Sequence, residues 1–394
     1  MRICVVTTVF PRRLNDGEGA FIWQHVQGLR ARGHTVCVVA MHSPNTLHYE
    51  EFDGVPVHRL QYWWPVTAQR LRRQGGGIPI NVRGSSLAKL QLLSLGIIYA
   101  LQIVRLVRQY DLIHAQFTLA AGAAVLGSSI HRRPVVATIH GSDIFQAASA
   151  PIGGLYTRWT LKNCRKVVAV SSVLRQSAIE LGIPSSHCVV IPNSVDTDYF
   201  FVPADQLQGR EQIILFVGSL IKRKGVDILL KALVKTLRIA PEALCVIAGE
   251  GPEQGHLESL AHELGISERI QFLGMIDRTH VRIWMQRAKV LVLPSTEEGQ
   301  GVVMLEAMAC GTPVIGTSVG GIPEVLTSEV GWLVPPTDVD ALNAALLDAL
   351  THTSAWSIKS VRSRNLVETQ FSAAAVYRQY DVVYQDALRD SGHR

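Results

Sequence analysis

The sequence predicts an α/β chain made of two doubly wound domains, each built on a parallel sheet. Length is the first reason: 394 residues, at roughly 150 per domain, make two or three domains. Pattern is the second, because short β-branched and apolar runs alternate with helical patterns from end to end, in two sets of about five or six. Charge is the third. Residues 1–190 hold 20 Lys and Arg against 8 Asp and Glu, +12, while 191–394 hold 18 against 24, −6. Two halves of opposite sign imply two halves with different partners. Apolar residues at 47% and charged residues at 18% exclude a disordered chain, since there is ample surface to bury.

In the first half the strand-like runs are 3–9, 35–40, 55–60, 112–116, 135–140 and 167–170. Between the first two, 21–32 reads as a helix ended by Gly33, where a left-handed backbone comes most easily to glycine. In the second half they are 213–218, 244–248, 270–273, 290–293 and 313–316. The expected domains are 1–192 and 193–370, with an amphipathic helix over 371–390 returning to the first. Residues 203–210 read as a linker and the glycines at 75–77 as a loop. In open parallel sheets ligands bind outside the carboxyl ends of the strands, so two facing sheets would present both edges to one cleft.

Residues 87–107 have the length of a membrane span, but Lys89, Gln91, Gln102 and Arg105 interrupt them, which favours a buried or interfacial helix. From Gly54 to Tyr110 there are eight Lys and Arg, no acidic residue, and the pair Trp63-Trp64. The stretch reads either as a solvated basic face or as a patch that docks on an anionic membrane surface. Six scattered cysteines with no C-x-x-C pair predict neither zinc nor a disulfide framework. The first apolar run is too short for a signal peptide and reads as a strand, so a cytoplasmic location is expected.

The chemistry concentrates in PSTEEGQGVVMLE, from Pro294 to Glu306. A strand ends, the turn Gly299-Gln300-Gly301 follows, and a helix starts near Val302. Amides at such a helix start, with the positive end of its dipole, suit a diphosphate. Glu298 lies on the loop and Glu306 inside the helix, eight residues on. Each carboxylate only accepts hydrogen bonds, which suits a sugar diol. The loop Asn15-Asp-Gly17-Glu-Gly19 precedes the first helix and would let backbone approach phosphate. It fails as a nicotinamide fingerprint, because the third glycine and the acidic end of the second strand are missing. Two D-x-D triplets, at Asp196 and Asp338, imitate a metal motif; Asp338 reads better as the cap of a helix over 341–350.

The 294–306 segment resembles the E-x7-E signature of retaining glycosyltransferases of family 4, which have the GT-B fold of two facing Rossmann-like domains. FVGSLIKRKG from Phe216, AGEGP from Ala248, QFLG from Gln271, TIHGSD from Thr138, IPNSVD from Ile191 and GGIPE from Gly320 are similar to further elements of that family, in its order. The resemblance implies transfer of a sugar from a nucleotide diphosphate sugar, UDP before GDP, with retention and without a metal or other cofactor. It implies that Glu306 binds the ribose diol and Glu298 the sugar hydroxyls. Lys224, with the amides of Gly299, Gln300, Gly301 and Val302, would hold the diphosphate. His140 would lie by the reaction centre, with Asp143 nearby. Where the family often has arginine this chain has Ser219, so Arg223 or helix amides would compensate. Gly17 and Gly19 match the family's glycine loop. A front-face route is the family's expectation, in which the departing phosphate helps take the acceptor's proton.

The basic half points to a lipid-linked or glycan acceptor, as in cell-envelope or exopolysaccharide synthesis. A soluble small-molecule glycosyltransferase, a nucleotide-sugar epimerase and a non-catalytic glycan-binding scaffold share the same fold and stay open as alternatives. Nucleic acid is not expected, because the basic segment lacks interleaved aromatic residues.

Overall fold

The computed structural model describes residues 1–43, 45–71, 78, 85–141, 144, 151–203 and 210–389. The chain divides into two compact units, Met1–Asn193 with Ala374–Arg394, and Ser194–Ala373. It crosses between them at Asn193-Ser194, not at 203–210. Residues 204–209 of that expected linker lie outside the described residues, as do the glycines at 75–77.

The first unit is built on β1 (Arg2–Thr7), β2 (Thr35–Met41), β3 (Tyr49–Phe52), β4 (Val55–Leu60), β5 (Leu112–Gln116), β6 (Val135–Ile139), β7 (Lys166–Ala169) and β8 (Cys188–Val190). They form one sheet in the order β3-β4-β2-β1-β5-β6-β7-β8. Every pairing is parallel except that of β3 with β4. Strands β5 and β6 are buried at every residue, and β1 and β2 at all but the first. A sheet with both faces covered demands that, and it is why these strands read as unbroken apolar runs. Two ends differ from expectation. Strand β1 stops at Thr7, whose hydroxyl turns to the Val9 carbonyl at 2.8 Å, and β6 stops at Ile139, leaving His140 just past the strand.

Helix α1 (Ala20–Ala31) joins β1 to β2 and ends as expected, with Gly33 at φ 78° donating its N–H to Arg30 O at 2.8 Å. Helix α2 (Ser86–Leu106) starts at Ser85, whose hydroxyl accepts from Ala88 N. By length and composition α2 is apolar enough to cross a membrane. One face nonetheless buries Ala88, Gln91, Leu95, Tyr99 and Ile103 in the unit, and Tyr99 donates to Thr7 O. The other face leaves Leu90, Leu93, Ile97 and Leu101 between 54% and 67% exposed. Then come α3 (Thr118–Leu126), α4 (Ser128–His131), α5 (Pro151–Asn163) and α6 (Ser172–Glu180). The basic segment is not one continuous surface: Arg59 is buried, bonded to Glu50 Oε1 and Pro11 O at 2.6 Å each. Arg72, Arg73 and Arg83 lie outside the described residues. Trp63 packs on the core while Trp64 is exposed.

The second unit has β9 (Glu211–Val217), β10 (Leu244–Ala248), β11 (Ile270–Gly274), β12 (Ala288–Leu293), β13 (Val314–Thr317) and β14 (Gly331–Val334). All are parallel, in the order β11-β10-β9-β12-β13-β14. Counted from its own first strand that order is 3-2-1-4-5-6, which reverses between β9 and β12, the place where such sheets open a ligand crevice. Its helices are α7 (Val226–Ile239), α8 (Gln254–Glu263), α9 (Arg278–Arg287), α10 (Val302–Ala309), α11 (Val339–Thr351) and α12 (Thr353–Leu366). The carboxylates opening the D-x-D triplets serve local structure. Asp338 caps α11 by accepting from Ala341 N, and Asp196 accepts from the amides of Asp198 and Tyr199.

The final helix, α13 (Ala373–Arg389), follows a π-turn over Val367–Phe371, which is why it starts two residues later than the sequence implied. It is part of the first unit. Its Asp381 pairs with Arg32 and His34 at 2.7 Å each, and Tyr384 buries its hydroxyl 2.7 Å from His114 Nδ1. All six cysteines are free and buried.

Candidate active site

In the second unit the candidate residues gather where the strand order reverses. Lys224 ends a short 3-10 turn after β9, and Glu298 lies on the loop after β12. Their side chains meet, Lys224 Nζ to Glu298 Oε2, at 2.5 Å. Glu298 is 9% exposed and also accepts from the amide of Gly299 at 3.2 Å and the hydroxyl of Ser295 at 3.4 Å. Burial alone would raise its carboxyl. The charge and hydrogen bond of Lys224, the charge of Arg223 and the Gly299 amide outweigh that and hold it below its ordinary value. Arg223 thus puts positive charge at this corner, beside exposed Ser219.

Two glycines explain how the loop reaches the lysine. Gly225 has φ 65°, and a Cβ there would stand 2.0 Å from Pro294 O. Gly320 has φ 53°, and its Cβ would meet Glu298 O at 1.7 Å. Only residues without a side chain let the backbone close on both ends of 294–298. Gly301 is the N-cap of α10 at φ 84°, as the sequence implied. Gly299 is not among the left-handed glycines; it contributes its amide to Glu298 instead. Gln300 and Gly301 are buried, and Val302 opens the helix half-buried.

Glu306 follows one turn into α10 and is half-buried. Desolvation pushes its carboxyl up to about 7, with Arg278 pulling the other way. Sequence reasoning missed Arg278. It opens α9, is 8% exposed, and stacks over Tyr199 at 4.4 Å and Phe200 at 5.0 Å. Its Nε and one terminal nitrogen are buried without a hydrogen-bond partner.

His140, Gly17 and Gly19 belong to the first unit. Gly19 is the N-cap of α1 at φ 78°, packed so close to the backbone of Phe10 that a Cβ would sit 3.1 Å from it. Asp16, on the same loop, is engaged by Arg12 at 3.0 Å. His140 lies against Phe117 (centroids 4.7 Å) and Phe21 (5.1 Å), and its Nε2 meets Gln116 Oε1 at 2.7 Å. Burial pushes the imidazole down to about 3, so the ring is neutral at ordinary pH. Asp143 lies outside the described residues. Gln116 and Phe117 were also missed, although their place at the carboxyl end of β5 was a usable signal.

Two parallel-sheet units, the second with a positively charged corner at its strand-order reversal, define a glycosyltransferase of the GT-B type. Residues 16–199 match the model described as Glycosyltransferase Family 4, and residues 201–360 match Glycosyl transferases group 1. The chain belongs to this glycosyltransferase family. It is 31% identical to the N-acetyl-alpha-D-glucosaminyl L-malate synthase of Bacillus anthracis, over 71% of this chain and 76% of that one. It is 28% identical to the putative teichuronic acid biosynthesis glycosyltransferase TuaC of Bacillus subtilis, over 98% and 100%. Among solved structures, sucrose-phosphate synthase of Thermosynechococcus elongatus shares the fold with a TM-score of 0.82 at 22% identity, over 99% and 100% of the two chains.

Proposed function

We propose that this chain is a retaining, metal-independent glycosyltransferase that moves a sugar from a UDP-sugar to a lipid-linked or glycan acceptor in cell-envelope or exopolysaccharide synthesis. The contact of Lys224 with Glu298, at the strand-order reversal of the second unit, carries this reading. An ammonium has three donors, so Lys224 can hold Glu298 and still offer protons to a diphosphate seated at the start of α10. As the anomeric carbon–phosphate oxygen bond breaks, charge builds on the diphosphate, and a fixed cation lowers the barrier most at that moment. The acceptor oxygen bonds the same face of that carbon, and its proton passes to the leaving phosphate. Glu306 takes the ribose diol and Glu298 the sugar hydroxyls.

The first unit would take the acceptor, working as a peripheral protein on the cytoplasmic face of a membrane. Its 23 basic and 11 acidic residues give +12. Helices α2, α3, α4 and α5 contain no acidic residue, and α2 presents its apolar ridge beside exposed Lys89, Arg105 and Arg108. Apolar side chains ringed by cations match an anionic bilayer surface. One relative makes a sugar malate, which supports a second reading with a small soluble acceptor.

A panel of UDP- and GDP-sugars, each with lipid extract or with soluble hydroxy acids, separates these readings. The expected outcome is a lipid-dependent product whose NMR coupling shows the donor's anomeric configuration. Sedimentation with anionic vesicles should also fall as salt rises. An inverted product ends the retaining mechanism, and full activity on a soluble acceptor without lipid ends the membrane reading.

A further inference from the structure

The corner around His140 holds more than a single imidazole. Strand β5 ends on Gln116, and the next residue, Phe117, caps α3 with φ 71° and ψ 152°, a backbone region nearly reserved for glycine. Phe117 N donates to Thr138 O at 2.9 Å, tying β5 to β6, and the turn lays its ring on His140. A bulky residue held in that conformation costs on the order of 1–3 kcal/mol and persists only where its surroundings enforce it. Gln116 itself is 1% exposed. Its oxygen faces His140 Nε2 at 2.7 Å, and its nitrogen faces His114 Nε2 at 3.4 Å. His114 is in turn fixed by Thr138 Oγ1 at 2.7 Å, His25 Nε2 at 2.9 Å and Tyr384 on the last helix at 2.7 Å.

We propose that Gln116 is a positioning residue for His140, holding the proton of the imidazole on Nε2 and leaving Nδ1 as the unprotonated nitrogen. The proposal rests on the reading that His140 serves sugar transfer. A carbonyl oxygen only accepts, so the ring nitrogen opposite it must donate. A ring held this way offers an acceptor through Nδ1. It cannot give up its Nε2 proton without breaking the bond to Gln116, so it acts as a fixed polar group and not as a proton shuttle. Among the described residues the titratable groups acting on it are His25 and His114, both driven towards the neutral form by burial. The relay reaches the last helix through His114 and Tyr384.

Long-range proton–nitrogen NMR of the histidine-labelled protein reads the tautomer directly, whatever the activity. Wild type should show His140 as the Nε2–H form. Gln116→Met should mix the tautomers and lower kcat about 10–100-fold, the size of loss a misplaced group causes. Stabilisation by UDP should be unchanged. Gln116→Glu keeps an acceptor and adds charge, so it should recover most of the rate at pH 8 and bring an acid limb into the pH 5–8 profile. An Nδ1–H ring in wild type, a Gln116→Met kcat within twofold, or a Gln116→Glu variant as slow as Gln116→Met with an unchanged profile would each overturn the proposal. If wild type neither binds UDP nor turns over any nucleotide sugar, the transfer reading falls. The tautomers of wild type and Gln116→Met then decide the Gln116 claim alone.

Discussion

A carboxyl on a helix start is normally favoured in its charged form by the helix dipole. At Glu306 burial works against that and wins, so the group is pushed up to about 7 despite Arg278. An acid whose folded value is raised contributes stability that is complete below its unfolded value, near 4.5. That contribution is lost as pH rises through 7, because unfolding then releases a carboxylate that the fold disfavours. Glu306→Gln keeps the shape and removes the titration. Its unfolding midpoint should therefore track wild type at pH 4.5, pull ahead between pH 5 and 7, and stay ahead by a constant margin above pH 8. At 1.36 kcal/mol per unit, reduced for partial exposure, the margin is on the order of 1–3 kcal/mol. Parallel midpoints across that range would show that ordinary solvation reaches the carboxyl. Glu298 is the contrasting case. It is the more buried carboxylate by exposure, yet it stays ionised because Lys224, Arg223 and an amide face it. Two carboxylates eight residues apart are thus sorted into two protonation regimes by their neighbours, which spacing could never reveal.

At the scale of the element, the loop after β12 is placed by close approach. Gly225→Ala would add a left-handed penalty and a methyl 2.0 Å from Pro294 O. Gly265 also has a left-handed backbone, φ 69°, with nothing within 4 Å of its Cβ position, so Gly265→Ala isolates the backbone term of about 1 kcal/mol. The first variant should lose several kcal/mol and most nucleotide binding; the second should lose about 1 and bind normally. Equal losses, measured by denaturant unfolding and UDP titration, would mean that the contact does not position the loop. Legibility follows the same physics. Strands buried on both faces announce themselves as apolar runs, and Lys224-Gly225 and the 294–306 segment were readable because a turn, a loop and a helix are contiguous in sequence. Strand β3 (Tyr49–Phe52) was missed because it pairs at the sheet edge and carries two glutamates. The Asp53-Gly54 turn that folds it back, with φ 53° and 74°, is a hairpin signal that went unused. Strands β8 and β14, three and four residues at the far edges, leave too short a pattern. Gln116, Phe117 and Arg278 act through partners from distant elements, and periodicity carries no such information.

At the scale of the whole chain, the charge division survives the true boundaries, with +12 in the first unit and 15 basic against 21 acidic residues, −6, in the second. Connectivity adds something charge does not. The second unit is one continuous stretch, whereas the first is made of two pieces joined only by packing. Helix α13 buries Val376, Tyr377, Tyr380, Val383, Tyr384 and Ala387. Gly28 on α1 leaves room for it: a Cβ there would stand 1.9 Å from the Tyr377 ring. At about 1.5–3 kcal/mol per large buried side chain, this helix contributes on the order of 10 kcal/mol, comparable to the net stability of a domain. Its loss would also strand His114 without the Tyr384 hydroxyl. The fragment 194–373 should therefore unfold cooperatively on its own and be stabilised by UDP. The fragment 1–193 should lack a cooperative transition until 374–394 is tethered back to it. Circular dichroism melts of the three constructs decide the matter. A sharp transition in 1–193 alone would make α13 an accessory layer and not part of the first unit's core.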